Sequence, residues 1–497
     1  MTLAHYTAVP IMTCSPALRR VLRRDVFLAS LERDIALAGV GDSRVSGQGA
    51  SGVDLLATLD YGFAAWSGGT SHSIWRYGSA TRAHFGNFAT NTLGFQTTTA
   101  YTIAEMPPRW RTNGPRQLRS GATTQGIGYC IHPDGIGLVR PHNRTIEPGL
   151  LSAGTYACDV MCLTQTDPIP GTQLTGRLRR HNLIGPEWNI AASQTITIDT
   201  PGLNAPKGVA HVFTFGGLSL GDFPRATLAI QANIDGAGTG TIVAAGRLRG
   251  EGVEPRGLRV ESLSDGGYQT TSFAGNHGSC KWIVDAMGTP IMALVYCDIN
   301  DFYSGAGVSA ATYEARLRDS LLPWIQSYLG IPYVVLIAGL WHQASGANWS
   351  TSKDEQFVQH AAVHQRVAED LRDSVLAFNL ARAMHARGMT RANEDLSATT
   401  DAGVWADATA YAANARVTIP NGGRTWRCVV PHTSDLALNH PVSGTNYLSF
   451  WKEMVLMVDN AHNRDVGANI VGSAIVDSLT NFFVPEGGAQ RGPYYHA

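Results

Sequence analysis

The sequence predicts an α/β protein in which a parallel sheet is interrupted by β-rich segments. Near both chain ends and between 256 and 401, apolar runs of strand length alternate with stretches of helical periodicity. This alternation is typical of a parallel sheet covered by helices. Between 76 and 255, and again between 402 and 453, helical periodicity is absent. Glycine makes up 54 of the 497 residues, an excess that favours many turns.

The first core segment, 1–75, begins with a predicted helix and a predicted strand. Apolar residues recur at helical spacing across 16–32. The apolar run that follows them ends in Gly41-Asp42-Ser43. We therefore expect a buried strand that leads into a sharp turn at Ser43.

The segment 76–255 is predicted to be a β-sandwich or jelly-roll domain inserted into the core. Its short β-type runs are bounded by Gly, Pro, Asn and Asp. The runs cover 155–163, 194–198, 209–215, 226–232 and 239–245. Gly217-Leu-Ser219-Leu-Gly221 fits the nucleophile elbow of α/β-hydrolases, but a strand follows it instead of a helix, so we expect no catalytic role for Ser219.

The second core segment, 256–401, returns to the alternating pattern. Predicted strands cover 258–263, 290–297 and 333–340, and predicted helices cover 310–329 and, as one long helix, 353–386. After a small β module at 402–453, the last core segment, 454–497, is predicted to hold a strand at 454–458 and a helix at 466–479. The prediction is therefore one core in three pieces and two inserts.

Composition and charge argue against several classes of function. The 38 Lys and Arg residues and 39 Asp and Glu residues give a net charge of −1, whereas a dedicated nucleic-acid-binding protein shows a basic excess. No apolar run is long enough to span a membrane. The arginines of 19–24 follow the apolar residues of 8–12, which is the wrong order for a signal peptide.

Cysteine and histidine spacing predicts neither a metal nor another cofactor. The seven cysteines are scattered without a Cys-x-x-Cys pair. His360 and His364 are four residues apart on a predicted helix, but the glutamate of a zinc-binding His-Glu-x-x-His helix is missing.

Short polar blocks follow several predicted core strands, where open parallel sheets bind ligands. A serine nucleophile needs a base, and the base needs an acid that orients it. Ser43, His462 and Asp459 supply these three roles. Each block alone is an ordinary turn, but their order along the chain predicts a catalytic triad.

Further residues in these blocks supply donors for an oxyanion. A tetrahedral intermediate needs hydrogen-bond donors directed at its negative oxygen. The backbone N–H groups of Ser43 and Gly267 and the side-chain amide of Asn300 fit this role, and the sequence leaves open whether Gly266 or Gly267 is the backbone donor. Gly266 is otherwise expected to contact substrate.

These blocks together resemble those of the SGNH (GDSL-like) hydrolases, a superfamily of esterases and acetylhydrolases. Val40-Gly-Asp-Ser43-Arg is similar to their first block, Gly266-Gly267 to their second, Val295-Tyr-Cys-Asp-Ile-Asn300-Asp to their third and Asp459-Asn-Ala-His462 to their fifth. The resemblance covers 1–75, 256–401 and 454–497. It implies a flavodoxin-like three-layer core.

Two residues depart from the family pattern. Arg44 stands where the first block usually has Leu, and Asp298 stands where the third block usually has Gly.

The inserts favour a carbohydrate partner. The larger insert resembles modules of carbohydrate-active esterases and bacteriophage tail proteins, and 402–453 resembles small chitin-binding-type modules. Trp426 is predicted to stack on a sugar ring, although a place in the small core of the module is an equal alternative. His342 follows a predicted strand and is expected to line the substrate cleft, with a structural role as the alternative.

The predicted function is therefore a serine esterase that removes O-acetyl groups from a bacterial surface polysaccharide. Because of the inserts and the missing signal peptide, we expect a phage tail component in the virion that contacts other tail proteins, with no nucleic-acid partner and no membrane insertion. A catalytically silent tail protein that binds glycan is the alternative. A cellular lipase or thioesterase would instead require an apolar acyl channel.

Overall fold

The protein contains one large mainly parallel sheet with helices and several smaller sheets. The computed structural model describes residues 9–42, 44–45, 55–74, 117–119, 127–131, 154–164, 172–181, 188–198, 210–220, 226–233, 240–264, 269–274, 281, 284–285, 288–298, 300–301, 308–339, 353–387, 400–419, 424–441, 443–454 and 465–485. The strands are β1 (Met12–Thr13), β2 (Asp34–Gly41), β3 (Ser71–Ile74), β4 (Gln117–Arg119), β5 (Ile127–Ile131), β6 (Gly154–Thr164), β7 (Thr172–His181), β8 (Trp188–Ile198), β9 (Ala210–Leu220), β10 (Ala226–Asn233), β11 (Gly240–Gly250), β12 (Gly257–Ser262), β13 (Met292–Tyr296), β14 (Tyr333–Ala338), β15 (Val375–Asn379), β16 (Thr400–Val404), β17 (Ala410–Tyr411), β18 (Ala415–Ile419), β19 (Arg424–Cys428), β20 (His432–Thr433) and β21 (Trp451–Met454). The helices are α1 (Pro16–Leu22), α2 (Leu55–Ser67), α3 (Thr270–Ala274), α4 (Ala310–Arg316), α5 (Lys353–Asp370), α6 (Leu380–Ala386), α7 (Tyr447–Phe450) and α8 (Asp465–Phe483).

The large sheet has the strand order of a flavodoxin-like fold. Its order is β1-β15-β14-β13-β2-β12, and all neighbours are parallel except the short edge strand β1. Numbered along the chain, the five parallel strands therefore run 2-1-3-4-5 across the sheet, with β2 first and β12 second. In this order the connections reverse direction between β2 and β13, which is the topological switch point where such sheets bind ligands. The predicted fold class is confirmed.

Helices cover both faces of this sheet. Alternate strand residues point to opposite faces. Ile35 and Leu37 of β2 pack in one apolar cluster with residues of α1, α2, α6 and α8. Ala38 and Val40 pack in a second cluster with residues of α4 and α5. The core is therefore a three-layer α/β/α arrangement whose sheet is buried on both sides.

One predicted element is wrong. The stretch 353–386, expected to be a single helix, forms helix α5, strand β15 and helix α6. Val375–Asn379 is buried along its whole length and pairs with β14. A short apolar run buried on both faces has no period that separates strand from helix, and the turn at 371–374 divides the two.

Two antiparallel sheets stand between the first two core strands in the sequence. One has the order β5-β10-β7-β8, and the other joins β3, β11, β6 and β9 with β4 beside β11. All five predicted runs of this segment are strands. Ser219 lies inside β9, so the elbow-like pattern is ordinary strand, as expected.

The two ends of this segment meet beside the amino end of β2. The Thr70 N–H donates to the Arg256 carbonyl oxygen at 2.9 Å, and a Cβ on Gly257 would lie 2.3 Å from the Gly69 Cα. The guanidinium of Arg247 in β11 bridges Asp34 of β2 and Asp159 of β6 at 3.0 and 2.9 Å. The insert is thus joined to the core by a narrow backbone contact and a charge network.

The segment 400–454 forms a small module with its own aromatic core. Its sheets are β16-β18-β19-β21 and β17-β20. Trp426 and Trp451 are 2% and 1% exposed, and the Trp426 ring meets the Tyr447 ring edge to face, with centroids 5.6 Å apart. Sugar stacking needs an accessible ring face, so the prediction for Trp426 is corrected to a core role. Strand β21 belongs to this module, and the rest of the predicted strand at 454–458 lies outside the described residues.

Among the described helices, none has the length and apolar character needed to cross a bilayer.

Candidate active site

The switch point of the sheet lies where the first and third sequence blocks begin. Gly41 of β2 is paired with Tyr296 of β13 at the carboxyl ends of the two strands. Asp42 follows β2 directly, and Asp298 and Asn300 follow β13. The open end of this sheet therefore carries the residues before and after Ser43 together with the predicted oxyanion side chain.

Of the predicted site residues, Asn300 and Trp426 are described. Asn300 is half-buried, and its carbonyl oxygen accepts a hydrogen bond from Gln269 Nε2 at 3.2 Å. The other predicted site residues lie outside the described part of the chain, and their roles stay predictions. They are Ser43, Gly266, Gly267, His342, Asp459 and His462.

The residues on both sides of Ser43 are bound to each other. Asp42 Oδ1 accepts hydrogen bonds from the Arg44 backbone N–H at 3.0 Å and from Arg44 Nε at 3.1 Å, and Asp42 Oδ2 accepts from Arg44 Nη2 at 2.9 Å. The Val45 N–H donates to the Asp42 carbonyl oxygen at 3.1 Å. A Cβ on Gly41 would lie 2.5 Å from the Tyr296 carbonyl oxygen, so glycine is needed before this turn.

Arg44 also forms an ion pair with Asp298 across the switch point. Both side chains are almost fully buried. The guanidinium carbon of Arg44 lies 4.0 Å from the centroid of the Tyr296 ring, within the range of a cation–π contact. Burial alone would lower the pKa of Arg44, but attraction to Asp42 and Asp298 outweighs it and raises that pKa well above its usual value.

Asp298 also contacts β14 and α5. Its Oδ2 accepts the Gly339 N–H at 2.9 Å, and a Cβ on Gly339 would lie 2.7 Å from the same oxygen. His360 Nδ1 is 3.5 Å from Asp298 Oδ2. Burial lowers the pKa of His360, although the Asp298 carboxylate acts in the opposite direction. The carboxylate of Asp298, which follows β13, thus contacts the residues that follow β2 and β14 and a histidine of α5.

The helix α5 carries a second buried histidine behind the first. His364 Nε2 and the Tyr313 hydroxyl are 2.9 Å apart in a hydrogen bond, and both side chains are buried. Burial lowers the pKa of His364 to about 4, so its ring is neutral near pH 7. The two histidines are structural partners of Asp298 and Tyr313, and among the described residues no three His, Cys, Asp or Glu side chains are grouped as metal ligands.

Asp301 connects the second and third blocks. Its carboxylate accepts hydrogen bonds from the backbone N–H and hydroxyl of Thr270 at 2.8 and 3.0 Å and from Arg316 Nη1 at 2.6 Å. Thr270 stands three residues after Gly267, and Asp301 follows Asn300. Burial raises the pKa of Asp301, and the bonds from Thr270 and Arg316 oppose that rise. One carboxylate therefore links Thr270, which follows the second block, to the residue after Asn300.

Cys297 does not fit the role of a nucleophile. It is 3% exposed, and burial, together with the carboxylates of Asp42, Asp301 and Asp298, raises the pKa of its thiol well above the usual value. Because the reactive form of cysteine is the thiolate, a serine beside this cluster is the better candidate.

Sequence reasoning missed the pairing of Arg44 with Asp298. Both residues were recognised only as departures from the family pattern. Their opposite charges, at two positions that flank neighbouring strand ends, were the signal that could have revealed the ion pair.

Comparisons with known proteins find only distant similarity. No protein-family model matches the sequence, and no curated protein matches it. A peptidoglycan O-acetylesterase structure gives a TM-score of 0.41 at 12% identity, covering 76% of this chain and 87% of that one. A family two carbohydrate esterase from Clostridium thermocellum gives 0.22 at 8% identity over 46% and 79% of the two chains, and one from Cellvibrio japonicus gives 0.20 at 11% identity over 56% and 87%. TM-scores and identities this low do not establish the fold, which is assigned from the strand order of the large sheet instead.

Proposed function

We propose that the protein is a serine esterase that removes acyl groups, chiefly O-acetyl groups, from a bacterial surface polysaccharide. One observation carries the proposal. The switch point of the sheet coincides with the two strand ends after which Ser43 and Asn300 stand in the chain. Nucleophile and oxyanion donor of an esterase must stand close together.

In the proposed reaction Ser43 attacks the ester carbonyl while His462 accepts its proton and Asp459 orients the imidazole. The tetrahedral intermediate places its negative oxygen against Asn300 and the backbone N–H groups of Ser43 and Gly267. The intermediate collapses, the bond between the acyl carbon and the sugar oxygen breaks, and that oxygen takes the proton from His462 and leaves as the sugar hydroxyl. Water activated by His462 then cleaves the acyl-serine ester and releases acetate.

The choice of a carbohydrate ester rests on the inserts. The described residues between β2 and β12 form two antiparallel sheets, and this segment resembles in sequence the modules of carbohydrate-active esterases. Trp426, now assigned to a core, contributes nothing to this choice. The polysaccharide is thus supported by the larger insert.

The test compares wild type with Ser43→Ala on p-nitrophenyl acetate and on an O-acetylated surface polysaccharide. Mass spectrometry should find acetate released by the wild type and at least 10³-fold less by Ser43→Ala, on the order expected for loss of a catalytic nucleophile. Ser449→Ala, which changes an exposed serine of α7, should match the wild type. Glycan binding by a wild type that releases no acetate from any acylated glycan would overturn the esterase in favour of a silent binding protein.

The location on a phage tail is a separate proposal. It predicts that antibodies against this chain label the tails of purified virions in electron micrographs. Absence of the chain from purified virions would overturn the location and leave the esterase proposal standing.

A further inference from the structure

We propose that the Arg44–Asp298 ion pair is a positioning device that holds the nucleophile turn at a fixed distance from the oxyanion side chain Asn300. The inference rests on the proposed esterase activity and adds two residues to its machinery. Neither residue touches the substrate in this proposal. They act through the chain segments to which they belong.

The first step of the argument concerns the nucleophile turn. Asp42 and Arg44 are the covalent neighbours of Ser43 in the chain, and consecutive Cα atoms are 3.8 Å apart across a trans peptide. Asp42 and Arg44 are 0% and 3% exposed and share three hydrogen bonds. Any movement of Arg44 is therefore transmitted to the position of Ser43.

The second step concerns the oxyanion side. Asp298 stands two residues before Asn300 in the chain. Its carboxylate binds Arg44 on one side and accepts the Gly339 N–H on the other. The segments that follow β2, β13 and β14 therefore meet at this carboxylate, and the pair links the first two beyond the end of their backbone pairing.

The third step concerns charge. Asp42, Arg44 and Asp298 carry two negative charges and one positive charge in a buried place. His360 lies against Asp298, and burial keeps its pKa below the ordinary value. Loss of Asp298 leaves Arg44 paired with Asp42 and still neutralised, whereas loss of Arg44 leaves two buried carboxylates without a counter-charge. Asp298 can thus be altered in a chain that still folds.

Four variants test the inference, and each is assayed by kcat and KM on p-nitrophenyl acetate and by thermal unfolding. Asp298→Asn removes the charge and should lower kcat at least tenfold with KM nearly unchanged, because a small misplacement of reacting groups is costly. Gly339→Ala keeps every charge but displaces Asp298, so it should lower kcat in the same way. Arg44→Leu combined with Asp298→Gly restores the usual family residues and should be more active than Arg44→Leu alone.

The matched control is Glu261→Gln in β12. Glu261 forms a buried ion pair with Arg259 within β12, a pair made by other residues than Arg44 and Asp298. The Glu261→Gln variant should have a lower unfolding temperature than the wild type and the same kcat. A wild-type kcat in both Asp298→Asn and Gly339→Ala, or an equal kcat loss in Glu261→Gln, would overturn the positioning role alone. A wild type that hydrolyses no acyl ester would overturn the proposed function and this inference with it.

Discussion

Arg44 and Asp298 form a buried ion pair that links the carboxyl ends of β2 and β13. Each residue alone departs from the pattern of the family that the sequence resembles. Together they form an ion pair, because the cation next to Ser43, which also pairs with Asp42, meets an anion two residues before Asn300. The two departures from the family pattern are thus the two partners of one ion pair.

The stability of the protein should depend strongly on Arg44. Removing one partner of a buried ion pair leaves an uncompensated charge, which costs about 3–5 kcal/mol. Arg44→Leu should therefore lower the free energy of unfolding in urea by about that amount, and Asp298→Asn by clearly less. Arg24→Leu, which breaks an exposed pair with Asp25, should leave the unfolding curve unchanged. Equal losses for Arg44→Leu and Asp298→Asn would contradict this account.

Asp301 should control the oxyanion donors. Asp301→Asn keeps the size of the side chain but loses the charge that attracts Arg316 and one of the acceptors used by Thr270. If the esterase proposal holds, kcat for p-nitrophenyl acetate should fall by about tenfold, because the loops of Gly267 and Asn300 lose their common anchor. Glu314→Gln removes a carboxylate from α4 that pairs with Arg318 and Arg366, and it should keep the wild-type kcat.

His364 should make stability dependent on pH. Its pKa is about 4 in the folded protein and about 6.5 in an unfolded chain. Between these values the unfolded chain binds a proton that the folded protein does not, so the free energy of unfolding falls as pH decreases through this window. The contribution to stability is fully present above about pH 6.5, and its loss at low pH amounts to about 3 kcal/mol.

Urea unfolding of wild type and His364→Gln between pH 7 and pH 4 measures this effect. The variant should lose less stability over the window, because it lacks the titrating ring. Tyr313→Phe removes the hydrogen bond to His364 but keeps the titrating imidazole. The free energy of unfolding of this variant should therefore change with pH as it does in the wild type. A wild-type slope in His364→Gln would show that other groups are responsible.

Trp426 should matter for folding of the small module. Replacing a buried tryptophan by alanine costs about 3–5 kcal/mol, so Trp426→Ala should make the segment 400–454 sensitive to limited proteolysis. Leu448→Ala changes a side chain that is 73% exposed and should leave the digestion pattern unchanged. A proteolysis-resistant Trp426→Ala that has lost glycan binding would restore the sugar-stacking interpretation.

The sequence predicted those elements whose pattern is set by local chemistry. Helix α1 and strand β2 were predicted because amphipathic spacing and a buried run ending in Gly-Asp are local signals. Strand β15 was not, since Val375–Asn379 is apolar at every position but the last and only its neighbour β14 decides its conformation. The Arg44–Asp298 pair was missed for a similar reason, because the opposite charges are visible in the sequence but the two residues are brought together only by the sheet order.

The junction of the larger insert has a consequence for how the chain can change. The insert leaves and re-enters the core where Gly69 and Gly257 are in backbone contact, and it does so at the amino end of the sheet, opposite the switch point. Insertion is best tolerated where the ends of the inserted piece lie close together. The whole inserted segment could therefore be exchanged at this junction by recombination, while the switch point at the opposite end of the sheet keeps its shape.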